Sequence, residues 1–440
     1  MSVTPLIRRG TPRDKAPEPK LRGDLMSGDR YISREFMQLE WDRVWTRTWQ
    51  IGGWAADLVE TGDFITHKLG RESILMVRQE DGSIRAFYNV CQHRGNRLVH
   101  GDLGHAKVFT CSYHGWQFAR DGVLVNAQDP EDFPQGNPCG KVKLAEIPCE
   151  TWGGFVWFNM DTKAAPLRKF MNPITEQLDC YGMDKMVRVV NLTALVECNW
   201  KIIQDNFNES YHLPTIHKEL SKFVNEDYKE TRFDLYPSGH CRMMIEACIP
   251  SARDGDPMTI GQPLDAWMSY WGLDPAEFAG RGREARSALQ QAKRRLGPER
   301  GYKHYEAISD EQLTDYYHYT IFPNLSLTMS SDGFQVLRPL PHPTDPEKCY
   351  FDHWFIVPKV EGIDTAETPI GILPVEEAPN ELINHGDKSL GFVADQDLSI
   401  AVGQQLGLAS RGFKDAYLSG QETRVRYFHE NLNDYIAGRR

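Results

Sequence analysis

The sequence predicts an α+β protein in two parts: a small all-β domain over residues 45–158 and a larger mixed domain over 159–440. Residues 1–44 precede them as an arm and a helix expected to pack on the larger domain. Three observations carry this. Up to Phe158, short β-branched and aromatic runs alternate with Asp-Gly turns, and beyond it longer strand runs are separated by helical stretches. Two Cys/His pairs fall on loops of the first part. Two histidines fall on a polar, helix-like segment of the second. A chain of 440 residues exceeds a usual single domain, which agrees with the division.

In order, residues 33–48 read as a helix, with Ser33 as cap and Phe36, Leu39, Val44 and Trp45 as its apolar face. Strands at 73–78 and 84–90 flank the turn Asp81-Gly82. Cys91-Gln92-His93-Arg94-Gly95 leaves the second strand as a loop. A strand at 107–110 runs into Cys111-Ser112-Tyr113-His114-Gly115-Trp116, and a second turn, Asp121-Gly122, follows. Residues 151–159 are the last strand of the small domain. A short helix at 173–181 and a strand at 187–196 open the larger one. Asn199 can cap the helical stretch that runs to His217. Residues 232–249 are strand-like. Residues 251–316 are charged and helical, an excursion that reads as a lid or a subunit contact. Long strands are expected at 321–339 and 349–358, a loop at 361–389, and helices at 396–408 and 422–436.

Composition narrows the class. Hydrophobic residues make up 40% and charged residues 25%, as in ordinary globular proteins. A net charge of -11 argues against a general nucleic-acid binder. No apolar run is long enough for a transmembrane helix, and residues 1–20 lack the apolar core of a secretory signal. Nine cysteines, two of them paired with histidines, fit thiolate metal ligands in a reducing cytoplasm better than a disulfide scaffold.

The first metal pattern is Cys91-x-His93, 17 residues, then Cys111-x-x-His114. A Cys2His2 set also suits zinc, but zinc fingers pair like ligands on one loop. Here each loop carries one of each. That suits two irons with different ligand pairs, Cys91 and Cys111 on one and His93 and His114 on the other. Imidazole in place of thiolate raises the potential of such a [2Fe–2S] cluster. Gly95 and Gly115 allow the tight loops, and Trp116 would shield the cluster. The second pattern is His212 and His217, five apart, with Glu209 three residues before them. Two imidazoles plus one distant carboxylate form the ligand set of a mononuclear iron(II) site with open positions.

The pattern Cys91-x-His93-Arg94-Gly95 with Cys111-x-Tyr113-His114-Gly115-Trp116 resembles the Rieske signature of ring-hydroxylating oxygenases. Asn199-Trp200-Lys201 through His217 resembles the same family's iron segment. The resemblance implies that His212 and His217 are iron ligands. A late motif, matched by Asp397, Gln405, Gly407 and Leu408, implies Asp397 as the third, with Asp395 as the second candidate. It implies that Glu209 bridges an iron histidine to a cluster histidine of a neighbouring subunit, and that Asn206 lies near iron. Asp205 is a further buried-acid candidate. The expected architecture is a Rieske [2Fe–2S] domain followed by a helix-grip domain with a curved antiparallel sheet, assembled as a head-to-tail homotrimer with or without a small β subunit.

The function so implied is that of a terminal oxygenase. It would use O2 and electrons that pass from NAD(P)H through a reductase, with or without a ferredoxin, to hydroxylate a small organic molecule. Cis-dihydroxylation of an aromatic substrate is the first expectation. A monooxygenase or demethylase acting on a quaternary ammonium compound is the second. A Rieske electron carrier without catalysis and a zinc interaction module are the readings from other classes. Phe207, Leu325, Leu327 and Met329 are pocket candidates, with core packing the stronger reading for each.

Overall fold

Short strands build the first unit, and the strand Glu72–Arg78 is buried at its five inner positions. The computed structural model describes residues 20–440, so most of the expected N-terminal arm lies outside the described residues. The described chain divides into a unit over 39–170 and a larger unit formed by 171–440 with the segment before Gln38. The expected bounds of the small domain were 45–158, so the helical turns at its two ends join it as well. Its main sheet has five antiparallel strands, Leu103–His105, Asp63–Leu69, Glu72–Arg78, Ile84–Tyr88 and Glu146–Ile147 in spatial order. Two three-stranded sheets complete it, one of which is the meander Val108–Thr110, Gln117–Ala119, Leu124–Asn126. Leu75, Val77, Phe87, Phe109 and Phe118 are buried together, and Cys91 and Cys111 belong to the same cluster.

The larger unit is organised by one eight-stranded sheet. Its strands are β1 (Val187–Val196), β2 (Arg232–Leu235), β3 (Cys241–Ile245), β4 (Tyr316–Ile321), β5 (Leu325–Ser330), β6 (Gly333–Pro341), β7 (Cys349–Val357) and β8 (Glu381–Asn384). The spatial order is β2-β3-β4-β5-β6-β7-β1-β8, antiparallel except for the parallel pair β1 and β8. Six helices matter for the site: α1 (Trp200–Asn206), α2 (Leu213–Ile216), α3 (Leu264–Tyr270), α4 (Ala285–Leu296), α5 (Phe392–Leu408) and α6 (Thr423–Ile436). Asn199 caps α1, its side chain accepting from Lys201 N–H, the role expected of it. No helix among the described residues is long and apolar enough to cross a membrane.

Three expectations are corrected. The single strand expected at 151–159 is a hairpin of Cys149–Trp152 with Phe155–Phe158, turned at Gly153-Gly154. The long strand expected at 321–339 is a hairpin of β5 and β6, because Ser331-Asp332 turns the chain and Ser330 pairs with Gly333. The expected loop at 361–389 contains three short strands. Gly333 itself sits at φ +146°, and a Cβ there would lie 2.5 Å from the Ile356 carbonyl oxygen. Gly333→Ala should therefore destabilise the larger unit by about 1–3 kcal/mol, read from chemical denaturation of the two proteins.

Candidate active site

The two cysteine loops repeat one backbone pattern. Cys91 N–H donates to Asn96 O at 2.8 Å and Gly95 N–H to Cys91 O at 3.0 Å; Cys111 N–H donates to Trp116 O and Gly115 N–H to Cys111 O at the same distances. Such turns need a left-handed residue, supplied by Gly95 at φ +76° and Gly115 at φ +69°. The turns aim backbone N–H groups of His93 and Arg94 at the Cys91 thiol, and those of Tyr113 and His114 at the Cys111 thiol. Burial would raise the Cys111 thiol, but these donors, with Cys91 and Asn96, hold it below its ordinary value. Burial pushes the Cys91 thiol the other way, against its own backbone donors, so Cys111 is the member of the pair prepared for thiolate ligation.

The thiols are buried and the imidazoles are half-buried at the loop tips. The rings of His93 and His114 are 4.6 Å apart, and Trp116 stacks on His93 at 4.7 Å. His93 Nδ1 is buried without a hydrogen-bond partner. A buried nitrogen left so is costly unless it is a ligand. Two buried thiols on one side and two imidazoles on the other fit a [2Fe–2S] cluster with unlike irons.

The second site draws on three elements. α1 ends at Asn206. His212 precedes α2, where Pro214 is tolerated in the first turn, and His217 follows it. Asp397 comes from α5. One ligand atom from each of His212, His217 and Asp397 lies within 4.8 Å of the other two, the one such group of three His, Cys, Asp or Glu among the described residues. His217 Nε2 is 2.8 Å and His212 Nε2 is 3.5 Å from Asp397 Oδ1. Each ring is held from behind. His212 Nδ1 is 2.5 Å from Glu209 Oε1, and His217 Nδ1 is 2.8 Å from Gln396 Oε1. With Nδ1–H donating outward to those oxygens, both Nε2 lone pairs face a carboxylate. Three lone pairs converging on one point suit a cation between them, so these residues fit a mononuclear metal ion.

The remaining candidates separate clearly. Asn206 lines the cavity beside the triad, with its amide nitrogen buried and unpartnered. Glu209 is held against His212 and also accepts from the backbone N–H groups of Tyr211 and His212. Burial lowers the His212 imidazole, but the Glu209 hydrogen bond and charge outweigh it and raise its pKa. Asp395 is taken up at the start of α5, accepting from Leu390 N–H and the Ser389 hydroxyl, so Asp397 joins the histidines and Asp395 does not. Asp205 is a correction to the expected catalytic role. It accepts from the Tyr31 hydroxyl at 2.7 Å and pairs with His429 Nε2 at 2.8 Å, tying the N-terminal helix and α6 to α1 outside the cavity.

Sequence reasoning missed Gln396, since a lone glutamine before an aspartate carries no signal of its own. Gln396→Leu should lower iron(II) affinity about tenfold by freeing the His217 ring, measured by titrating apo-protein with iron(II) under anaerobic conditions. Gln405, noted only as part of a motif, accepts from Asn199 N–H at 2.8 Å and so clamps α5 to the start of α1.

A cavity of about 1440 Å³ opens on this triad. Phe207, Met243, Ile245, Leu337 and Phe355 line it, and Trp267, Trp271 and Leu289 from the 251–316 excursion close over it. The excursion is thus part of the cavity wall, as a lid would be. Leu325, Leu327 and Met329 are buried and do not line it. The opposite face of β5, with Thr328 and Ser330, does.

Comparison with known proteins agrees with this geometry. Residues 183–438 match the family model of the ring hydroxylating alpha subunit catalytic domain, and residues 48–143 match that of the Rieske [2Fe-2S] domain. The biphenyl dioxygenase alpha subunit of Metapseudomonas furukawaii is 34% identical over 42% of this chain and 43% of its own length. The carnitine monooxygenase oxygenase subunit of Escherichia coli (strain K12) is 31% identical over 45% of this chain and 53% of its own. The chain thus spans about half the length of the curated relatives it matches. Naphthalene 1,2-dioxygenase with indole bound in the active site shares the fold, with a TM-score of 0.65 and 20% identity over 95% of this chain and 93% of that one. The Rieske domain and the catalytic domain of this architecture imply a [2Fe–2S] cluster and a mononuclear iron, and the donor sets described above fit both. The chain therefore belongs to the ring-hydroxylating alpha-subunit family of Rieske oxygenases.

Proposed function

We propose that the protein is a terminal oxygenase component that adds both atoms of O2 to adjacent carbons of an aromatic substrate, taking up two electrons and two protons. The observation that carries this is the large, mainly apolar cavity lined by His212, His217 and Asp397 together. Apolar cavities with a few convergent polar groups are the usual form of small-molecule sites. When bound, the cluster supplies single electrons and the mononuclear iron supplies oxygen activation.

The chain's own residues set the conditions. His212, His217 and Asp397 would hold the iron, and Cys91, His93, Cys111 and His114 the cluster. Glu209 fixes the His212 ring and accepts its Nδ1 proton's hydrogen bond. Asn206 offers N–H donors beside the triad, and Phe207 and Phe355 exclude water from one wall. Electrons would come from NAD(P)H through a reductase, with or without a ferredoxin. In a homotrimer, Glu209 would link an iron histidine to a cluster histidine of the next subunit. Nine cysteines with no disulfide between them support a cytoplasmic setting. The second reading is a monooxygenase or demethylase, supported by the carnitine monooxygenase relatives.

The test is metal, acid-labile sulfide and EPR on anaerobically purified protein, followed by 18O2 turnover with naphthalene, biphenyl and carnitine. About three irons and two sulfides per chain, with two labelled oxygens in an arene product, is the expected result. One labelled oxygen would favour the second reading. Two irons, with no third taken up on adding iron(II), would leave an electron carrier.

A further inference from the structure

The cavity wall is not uniformly apolar, and one row of polar residues runs across three of its strands. His318 on β4 pairs in register with Thr328 on β5, and Thr328 with Gln335 on β6; all three line the cavity. His318 is 7% exposed. Its Nδ1 lies 2.8 Å from Thr328 Oγ1, while its Nε2 is buried with no hydrogen-bond partner. A polar atom kept in that state in a ligand cavity is a group waiting for an occupant.

Charge decides what kind of occupant. Behind His318 lies Arg424, fully buried. Its guanidinium donates to the carbonyls of Phe207 and His318, to Thr320 Oγ1 and to Cys241 Sγ. All four are neutral, and among the described residues no carboxylate pairs with it. A buried cation without a counter-ion raises the potential beside His318 and disfavours a cationic group there, whereas the carboxylates of Glu219, Asp332, Asp364 and Glu367 in the lining belong to other segments. Burial, with the Arg424 charge second, also keeps the His318 imidazole well below its ordinary pKa, so the ring is neutral. With the Thr328 hydroxyl donating to Nδ1, the ring carries its proton on Nε2 and is a donor into the cavity.

Two of the aromatic rings that line the cavity, Trp271 and Tyr270, are covered by cations of the chain itself. Lys293 Nζ already sits 5.7 Å from the Trp271 ring centre. The Arg300 guanidinium lies 5.3 Å from that ring and 5.5 Å from Tyr270. Those faces are occupied by the chain's own cations.

We infer that the substrate is a hydrocarbon framework bearing an oxygen acceptor group, a carboxylate or a carbonyl, which His318 Nε2–H receives, and that His318, backed by Thr328, determines specificity. This rests on the oxygenase reading of the site and names its substrate class.

The test is equilibrium dialysis of the anaerobic, iron-loaded protein with three matched probes: 2-naphthoate, 2-ethylnaphthalene and trimethyl(2-naphthyl)ammonium. The wild type should bind 2-naphthoate about tenfold or more tightly than 2-ethylnaphthalene, and the ammonium probe most weakly. H318L should abolish the preference for the carboxylate while leaving the iron content and the cluster EPR signal unchanged. H318Q, which keeps an N–H donor, should retain part of it. Equal affinity for the carboxylate and the hydrocarbon in the wild type would overturn the inference. So would a preference that survives H318L, or an ammonium probe bound most tightly. Iron content is assayed on the same samples, so failure to bind the third iron reports on the oxygenase reading separately from the probe ranking.

Discussion

Asp397→Ala protein purified anaerobically should keep two irons, two labile sulfides and the reduced Rieske signal, and should lose the third iron and turnover. Asp397 is 6% exposed and is the one carboxylate within 4 Å of both Nε2 atoms. Without it the two imidazoles remain, held by Glu209 and Gln396, but no anion balances a divalent ion in a low-dielectric cavity. Turnover should fall by more than about 100-fold, beyond the range seen for loss of a supporting partner. Iron analysis beside EPR distinguishes this from misfolding, because a collapsed protein would lose the cluster as well. Asp395→Ala is the control. Its carboxylate serves the start of α5, so the variant should lose some stability and keep its third iron.

Glu209→Gln carries the second large effect, a fall in turnover of about 100-fold with all three irons retained. The glutamate accepts three hydrogen bonds, from His212 Nδ1 and from the backbone N–H groups of Tyr211 and His212. A glutamine of the same shape has one acceptor oxygen. Whichever way it turns, an NH2 group faces N–H donors, so the His212 ring loses its orientation or the turn loses its tether. The loss of negative charge also removes what raises the His212 pKa against burial. Single-turnover measurements with pre-reduced cluster locate the defect: a slowed cluster oxidation at unchanged iron content is the expected outcome. Unchanged turnover would show that the carboxylate does nothing beyond holding the loop.

What could be read from the residues alone follows from range in sequence. The two cysteine loops and the histidine pair are local, with their ligands, glycines and caps within a few positions, so chemistry and geometry were legible together. Helix α4, Ala285 to Leu296, falls inside the stretch 251–316 that reads as helical, because its apolar spacing is local too. Asp397 could be chosen over Asp395 only through motif spacing, since the fold alone brings α5 to His217. The β5 strand shows the limit. Leu325, Leu327 and Met329 share a face, but nothing in the run says that this face is core and that Thr328 and Ser330 face the cavity; β4 and β6 decide it. The same holds for Asp205, whose partners Tyr31 and His429 lie 174 and 224 residues away.

The separation of 180 residues between His217 and Asp397 also bears on how the protein is made. An emerging chain carries both histidines long before it carries the aspartate, and α5 must then dock on α1 before three ligands exist. Metal loading at these residues would therefore be a late event of biosynthesis, and a stalled or truncated chain ending before α5 would reach the cell with the histidines exposed and no site. An ion held by these three residues would tie the two ends of that long loop and bind only the folded state, so it would hold the finished domain together as a clasp does. Starving cells of iron should leave a pool of chains in which α5 is loosely seated and open to proteases, while the front domain, whose ligands all lie within 24 consecutive residues, is completed as soon as its own loops have folded.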